Sequence, residues 1–137
     1  MTQTVFPCIT FKDAKASIDW LERVMGAEPL AVYEDDEGQV VHAEVRIGTS
    51  SVMLGDQRAG SRATPPGESV IYVVVDDADV AHARATAAGA QVTAPIDQDY
   101  GSRDITITDP DGNRWTLGTY AGAARSSDSL ATHSWGA

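Results

Sequence analysis

The sequence is poor in the residues that most often build reactive or cross-linked sites, with one cysteine and three histidines. The single cysteine, Cys8, excludes an internal disulfide framework, and its apolar neighbours predict a buried, inert thiol. No run of 18 apolar residues suggests a transmembrane helix, and no N-terminal segment has the pattern of a signal peptide. We therefore expect a cytoplasmic protein that does not enter a membrane.

Basic residues are also scarce. Ten Lys and Arg stand against 20 Asp and Glu, which gives a formal charge of −10. Nucleic-acid binding is not expected, because phosphate contacts need clustered cations. The acidity suits a cationic ligand, but excess carboxylates also simply keep a protein soluble. The length of 137 residues predicts one domain with a core of its own.

Two halves of the sequence resemble each other at a spacing of 63 residues. A unit of this length is too long for a solenoid repeat and too short for an independent domain. Each copy reads as strand, helix, strand and hairpin. The sequence therefore predicts an α+β fold of two βαβββ modules, which form a curved mixed sheet around one cavity with the helices outside. The matching segments are Asp13 and Asp76, Gly26-Ala27 and Gly89-Ala90, and 53–56 and 116–119.

The boundaries of these parts follow from turn and cap residues. We place the modules at about 4–56 and 68–119, within a domain of residues 1–120. Asp13 is expected to cap the first helix and Gly26 to end it, while either Asp76 or Asp77 caps the second. Residues 121–137 are rich in Ala, Gly, Ser and Thr, which predicts a loosely held C-terminal tail.

Alternation along the strands separates a face that covers the helix from a face that can line a pocket. In Val40–Ile47, for example, Val41 and Ala43 fall on the helix side, opposite His42 and Glu44. An aromatic and thioether wall suits a flat organic ligand, although the same residues would alternatively fill a closed core. The predicted ligand-binding residues are Phe6, Cys8, His42, Glu44, Met53, Val70, Tyr72, Tyr100, Thr106 and Thr116.

Only one pair of these side chains suggests chemistry. His42 and Glu44 lie two residues apart on one strand, so their side chains point the same way. Such a pair can act as a base and its orienting group, or it can be a hydrogen-bonded contact with a structural role. No nucleophile elbow, phosphate-binding glycine loop or CxxC motif is present.

Several motifs are typical of one superfamily. They are the Gly-Ala ends of both helices, the segment VHAEVRIGTSSVMLGD at 41–56, and YGSRDITITDPDGNRWTLGTY at 100–120, whose Asp-Pro-Asp-Gly turn precedes the last strand. With these motifs in a duplicated βαβββ unit, residues 4–120 resemble the vicinal-oxygen-chelate superfamily (glyoxalase/bleomycin resistance protein/dioxygenase). The resemblance is to its small bleomycin-resistance-like members.

The resemblance also implies where a metal would bind. Metal-using members of the superfamily hold a divalent ion with four His, Glu or Gln side chains, and the positions that match them here are Phe6, Met53, Val70 and Thr116. None of these side chains is a good ligand for a divalent cation. We therefore expect no metal and no other cofactor.

The resemblance finally implies a function class. We expect non-catalytic binding and sequestration of a small aromatic or hydrophobic compound, such as an antibiotic, by a homodimer with no nucleic-acid or membrane partner. One alternative is a glyoxalase-like lyase, isomerase or dioxygenase. Another is a ligand-binding accessory protein of a secondary-metabolite pathway.

Overall fold

The computed structural model describes residues 2–123, so most of the predicted tail, including His133, lies outside the described residues. Within residues 2–123, no helix is long and apolar enough to cross a membrane. The first module contains β1 (Cys8–Phe11), α1 (Ala14–Met25), β2 (Glu28–Glu34), β3 (Val40–Ile47) and β4 (Ser50–Asp56). The second contains β5 (Val70–Val74), α2 (Ala78–Ala87), β6 (Gln91–Val92), β7 (Ile96–Asp97), β8 (Arg103–Thr108) and β9 (Arg114–Gly118).

The predicted α+β class with two related modules is confirmed, and the strands form two mixed sheets, one in each module. The first sheet has the order β1-β4-β3-β2, and the second has the order β5-β9-β8-β6, with β7 also paired to β8. In each sheet the first strand of the module runs parallel to the last, and the other pairs are antiparallel. The short strand β7 was not predicted. It follows Pro95, which lacks the N–H that a continuous strand would need.

Both helices begin and end as the cap residues predict. The Asp13 side chain accepts a hydrogen bond from the Ala16 N–H (3.1 Å), and Gly26 ends α1 with a left-handed φ of 67°. For α2 the structure decides between the two candidate caps in favour of Asp77, whose carboxylate accepts from two backbone N–H groups of the first turn. Each cap satisfies donors that a helix end leaves unpaired.

One hydrophobic core lies between the helices and the inner faces of both sheets. Phe11 and Leu21 from the first module and Trp115 from the second are at most 1% exposed and belong to a single cluster. The helices also contact each other, and the Arg84 guanidinium of α2 donates to the Glu22 carbonyl near the C-terminus of α1 (3.2 Å). A cation at this end of a helix is favourable, so the contact ties the modules together.

A β-bulge in β3 corrects one sequence prediction. Tyr33 pairs with His42, whereas Glu34 pairs with Val40, so Val41 is an extra residue in the strand. The prediction that Val41 lies on the core face is wrong: Val40 is fully buried and Val41 is half-buried on the other side. Two adjacent valines are equally apolar, and alternation alone therefore does not reveal the bulge.

A half-buried contact between a side chain and the backbone, called the joint, recurs in both modules. In the first, Asp56 accepts hydrogen bonds from the backbone N–H groups of Ala14 and Val40, each at 2.7 Å. At the matching place in the second, the Thr119 hydroxyl accepts from the Arg103 N–H at 2.9 Å. The joint fixes where β3 and β8 start relative to the last strand of each module.

Replacement of Asp56 by alanine is expected to lower the free energy of unfolding by about 2 kcal/mol, because two backbone donors lose their acceptor. Urea denaturation measures this. The control is Asp36→Ala, which removes an exposed carboxylate from the β2–β3 turn and is expected to change stability by less than about 0.5 kcal/mol. Equal losses in the two variants would contradict the role assigned to Asp56.

Candidate ligand-binding site

The outer face of the first sheet, called face 1, carries Cys8, His42, Glu44 and Met53. Cys8 pairs with Met53 across β1 and β4, and Met53 pairs with Glu44 across β4 and β3. Cys8 is exposed, so the prediction of a buried thiol is wrong. Its strand is at the sheet edge and the helix covers only the opposite side, where Ile9 is buried.

Part of the linker between the modules folds over face 1. Arg58, Ser61 and Ala63 of this linker, together with Cys8, His42 and other strand residues, line an open cleft of about 180 Å³. The cleft brings together three of the predicted ligand-binding residues: Cys8, His42 and Met53.

His42 and Glu44 form the pair that the sequence suggested. The His42 Nε2 and Glu44 Oε2 atoms are 2.9 Å apart, and both side chains are about one-third exposed. The Tyr33 ring stacks on the imidazole, with ring centroids 5.8 Å apart and an interplanar angle of 26°. The partners of the imidazole therefore orient it on face 1, which suits either a hydrogen-bonding contact to a ligand or a general base.

The outer face of the second sheet, called face 2, is more apolar. Val70, Tyr72 and Val74 on β5 are 62%, 41% and 51% exposed. Thr106 and Thr116 lie beside them on β8 and β9, with their hydroxyl oxygens 3.3 Å apart. Within this chain these side chains lie outside the buried core, and they leave an apolar surface that a ligand or a second subunit can cover.

A group of polar and aromatic side chains closes one end of face 2. Tyr100 is among the predicted ligand-binding residues, whereas Ser102, Asp104 and Tyr120 are not. The Tyr100 hydroxyl donates to Asp104 Oδ2 at 3.3 Å, and the Ser102 hydroxyl donates to Asp104 Oδ1. Alternation with Thr106 was the available signal for Asp104, because both residues fall on the same side of β8.

The surroundings of Tyr100 disfavour ionisation of its hydroxyl. Burial, followed by the negative charge of Asp104, raises the pKa of the Tyr100 hydroxyl above its ordinary value. Tyr100 therefore remains a hydrogen-bond donor to Asp104 at physiological pH. The hydroxyl of Tyr72 donates to the Tyr120 carbonyl at 2.9 Å and lies 3.2 Å from the Ser102 hydroxyl.

The two faces contribute to different clefts of the chain. Besides the cleft over face 1, a cleft of about 390 Å³ lies where the modules meet, between residues such as Val5 and Val52 and the strand β5. Tyr72 lines this second cleft. Phe6 is half-buried just before β1, where its carbonyl lies 3.8 Å from the Cys8 sulfur. The structure thus groups the predicted residues by module.

The four positions that the resemblance assigns to a divalent metal carry Phe6, Met53, Val70 and Thr116. A phenyl ring, a thioether, an isopropyl group and a neutral hydroxyl are poor donors for such an ion. Within residues 2–123, no group of three or more His, Cys, Asp or Glu side chains is arranged to hold a metal. The residues present do not fit the metal of the superfamily.

Known proteins resemble this chain in sequence and in fold. The profile of the Glyoxalase/Bleomycin resistance protein/Dioxygenase superfamily matches residues 3–117. An uncharacterized protein of Mycobacterium bovis is 36% identical over 121 residues, covering 82% of this chain and 80% of that protein. TioX from Micromonospora sp. ML1 has a TM-score of 0.72 at 26% identity, covering 85% of this chain and 98% of TioX.

A further structural relative has a stated activity. TnmS3, an antibiotic binding protein from Streptomyces sp. CB03234, has a TM-score of 0.66 at 23% identity, covering 85% of this chain and 96% of TnmS3. At this identity the likeness concerns the fold. The sequence profile spans both modules and agrees with the fold and with the motifs at 41–56 and 100–120. The chain therefore belongs to the Glyoxalase/Bleomycin resistance protein/Dioxygenase superfamily.

Proposed function

We propose that this protein binds and sequesters a small aromatic or hydrophobic compound, such as an antibiotic, without changing a bond in it. The observation that carries the proposal is the chemistry of the four positions used for metal in the superfamily. Phe6, Met53 and Val70 replace ligands with apolar groups, and such groups stabilise a bound apolar compound by desolvation. Sequestration then protects by mass action, since bound compound does not reach its target.

The exposed side chains of face 2 supply the main binding surface. Burial of apolar area contributes about 25 cal/mol per Å², so a ring laid against Tyr72 and Val70 gains several kcal/mol before the cost of immobilising it. The Tyr72 hydroxyl is held by the Tyr120 carbonyl, which fixes the ring in advance. TnmS3 shares this fold and is an antibiotic binding protein, and the proposal extends that use to this chain.

The proposed assembly is a homodimer. Each sheet ends in an edge strand, β1 or β5, and Val70 and Val74 are exposed beside one of these edges. An apolar patch next to an unpaired edge is a liability in a monomer. A two-fold interface that covers it would bring face 1 and face 2 of different subunits together around one pocket.

A rival function is favoured by one observation, the contact of 2.9 Å between His42 and Glu44. In a glyoxalase-like lyase or isomerase that uses no metal, this pair would remove a proton from the bound compound. The cleft over face 1 would then hold the reacting group beside His42.

Aromatic side chains are expected to matter more for affinity than His42. A panel of aromatic antibiotics screened by native mass spectrometry identifies the tightest compound, and calorimetry compares its binding to variants. Phe6→Leu and Tyr72→Leu should each lose about 1–3 kcal/mol of binding free energy through lost stacking. His42→Ala should lose less than about 0.5 kcal/mol, because it removes one polar contact at an exposed site.

Thermal melts of all three variants are the control, since a large loss of melting temperature would show that the changed side chain supports the fold. If His42→Ala abolishes binding or turnover while Phe6→Leu and Tyr72→Leu bind normally, the result contradicts sequestration and supports the rival enzymatic function.

Light scattering at micromolar concentration is expected to give twice the chain mass of 14.5 kDa. The double change Val70→Asp and Val74→Asp places charges on the proposed interface and should return the mass to that of one chain. Val80→Asp is the matched control, because Val80 is 65% exposed on α2, away from β5. A wild-type mass near 14.5 kDa would contradict the homodimer.

A further inference from the structure

The Asp104 carboxylate lies at the end of face 2, where a purely apolar ligand would give it no partner. Asp104 is only 7% exposed, and its two hydrogen-bond donors, Tyr100 and Ser102, are neutral hydroxyls. In the part of the chain that the structure describes, the Lys, Arg and His ion pairs go to other carboxylates. Burial of a carboxylate among neutral donors is costly, so a cation next to Asp104 would be stabilising.

Three tyrosines lie near this carboxylate. Tyr100, whose hydroxyl donates to Asp104, meets Tyr120 edge to face, with centroids 5.6 Å apart and an interplanar angle of 87°. Tyr72 is fixed beside them through its hydroxyl, which donates to the Tyr120 carbonyl and lies 3.2 Å from Ser102. The faces of aromatic rings attract cations, and the combination of ring faces with a carboxylate is suited to an ammonium group that carries alkyl substituents.

A glycine makes the room for this arrangement. A Cβ atom at Gly118 would overlap Asp104 Oδ1 and the Tyr72 hydroxyl. Gly118 does not have a positive φ, so its backbone does not require glycine. The lack of a side chain here lets the Asp104 carboxylate and the Tyr72 phenol lie against β9.

The Asp104 carboxylate lies on face 2. Asp104 pairs with Gly118, and two residues further along β8 Thr106 pairs with Thr116. Since side chains alternate along a strand, Asp104 and Thr106 point to the same side, face 2. The corresponding place on β3, one residue before the partner of Leu54, is held by His42. Each module therefore carries one ionisable side chain at this point.

We propose that Tyr72, Tyr100, Asp104 and Tyr120 bind an alkylammonium group, and that the sequestered compound is therefore a cationic aromatic amine. The inference rests on the proposed function and narrows its ligand class. Asp104 supplies the opposite charge, and the tyrosine rings contact the N-alkyl groups. The formal charge of −10 favours the approach of a cation.

A matched pair of probes tests the charge directly. The (3-hydroxyphenyl)trimethylammonium ion and 3-tert-butylphenol have nearly the same shape and differ in one positive charge. In calorimetric titrations of the full chain, we expect the cation to bind about tenfold more tightly. Asp104→Asn should reduce this preference, because it lowers the affinity for the cation more than the affinity for the neutral phenol.

Two further variants keep the test decisive. Asp99→Asn is the charge control, because Asp99 is exposed in the loop before β8, next to Tyr100, and it should keep the preference. Tyr120→Leu retains the carboxylate and removes one aromatic ring, so it should weaken cation binding more than phenol binding. It replaces Asp104→Asn as the test if that variant does not fold.

The outcomes separate the two proposals. Equal affinity of the wild-type protein for both probes would overturn the ammonium site and leave the binding of apolar aromatic compounds standing. Binding of neither probe would contradict both. A uniform loss for both probes in Asp104→Asn and in Tyr120→Leu would mean that these residues only support the fold, which also overturns the ammonium site.

Discussion

Each sheet in this chain has two faces, and the single helix of its module can cover only one of them. The covered faces supply the common core, in which Phe11 and Leu21 of the first module meet Trp115 of the second. The uncovered faces are left with half-exposed side chains such as Tyr72 and Met53. The fold therefore leaves open surfaces as a consequence of its own packing, and under the proposed function the residues on those surfaces decide what is bound.

Divergence between the two modules has made these surfaces unlike. The acceptor at the joint is a carboxylate in one module and a hydroxyl in the other, Asp56 and Thr119, and each accepts from the backbone N–H at the matching position. On the open faces, the differences change chemistry. Face 1 carries the pair of His42 and Glu44, whereas face 2 carries an apolar strand that ends beside Asp104. A pocket built from both faces would offer a hydrogen-bonding side and an apolar side with a buried negative charge.

Local signals in the sequence predicted most of the fold, because caps, turns and alternation act over a few residues. Asp13 and Gly26 bound α1 as expected. The bulge at Val41 was not predicted, since it changes the pairing of the strands and not their composition. The exposure of Cys8 was not predicted, because an apolar strand at a sheet edge has the same sequence pattern as a strand in the core. The environment of Asp104 escaped because it depends on three tyrosines and a glycine from β5, β9 and the loops beside them.

We propose that this chain binds its ligand and releases it chemically unchanged. The most direct measurement is liquid chromatography with mass spectrometry of an aromatic antibiotic recovered after prolonged incubation with equimolar protein, with and without added divalent metal and with total compound quantified. We predict that the compound accumulates on the protein side in equilibrium dialysis, and that it is recovered with its original mass and retention time in both cases. Catalytic conversion to a product of different mass or retention time, above a buffer control, would contradict the account.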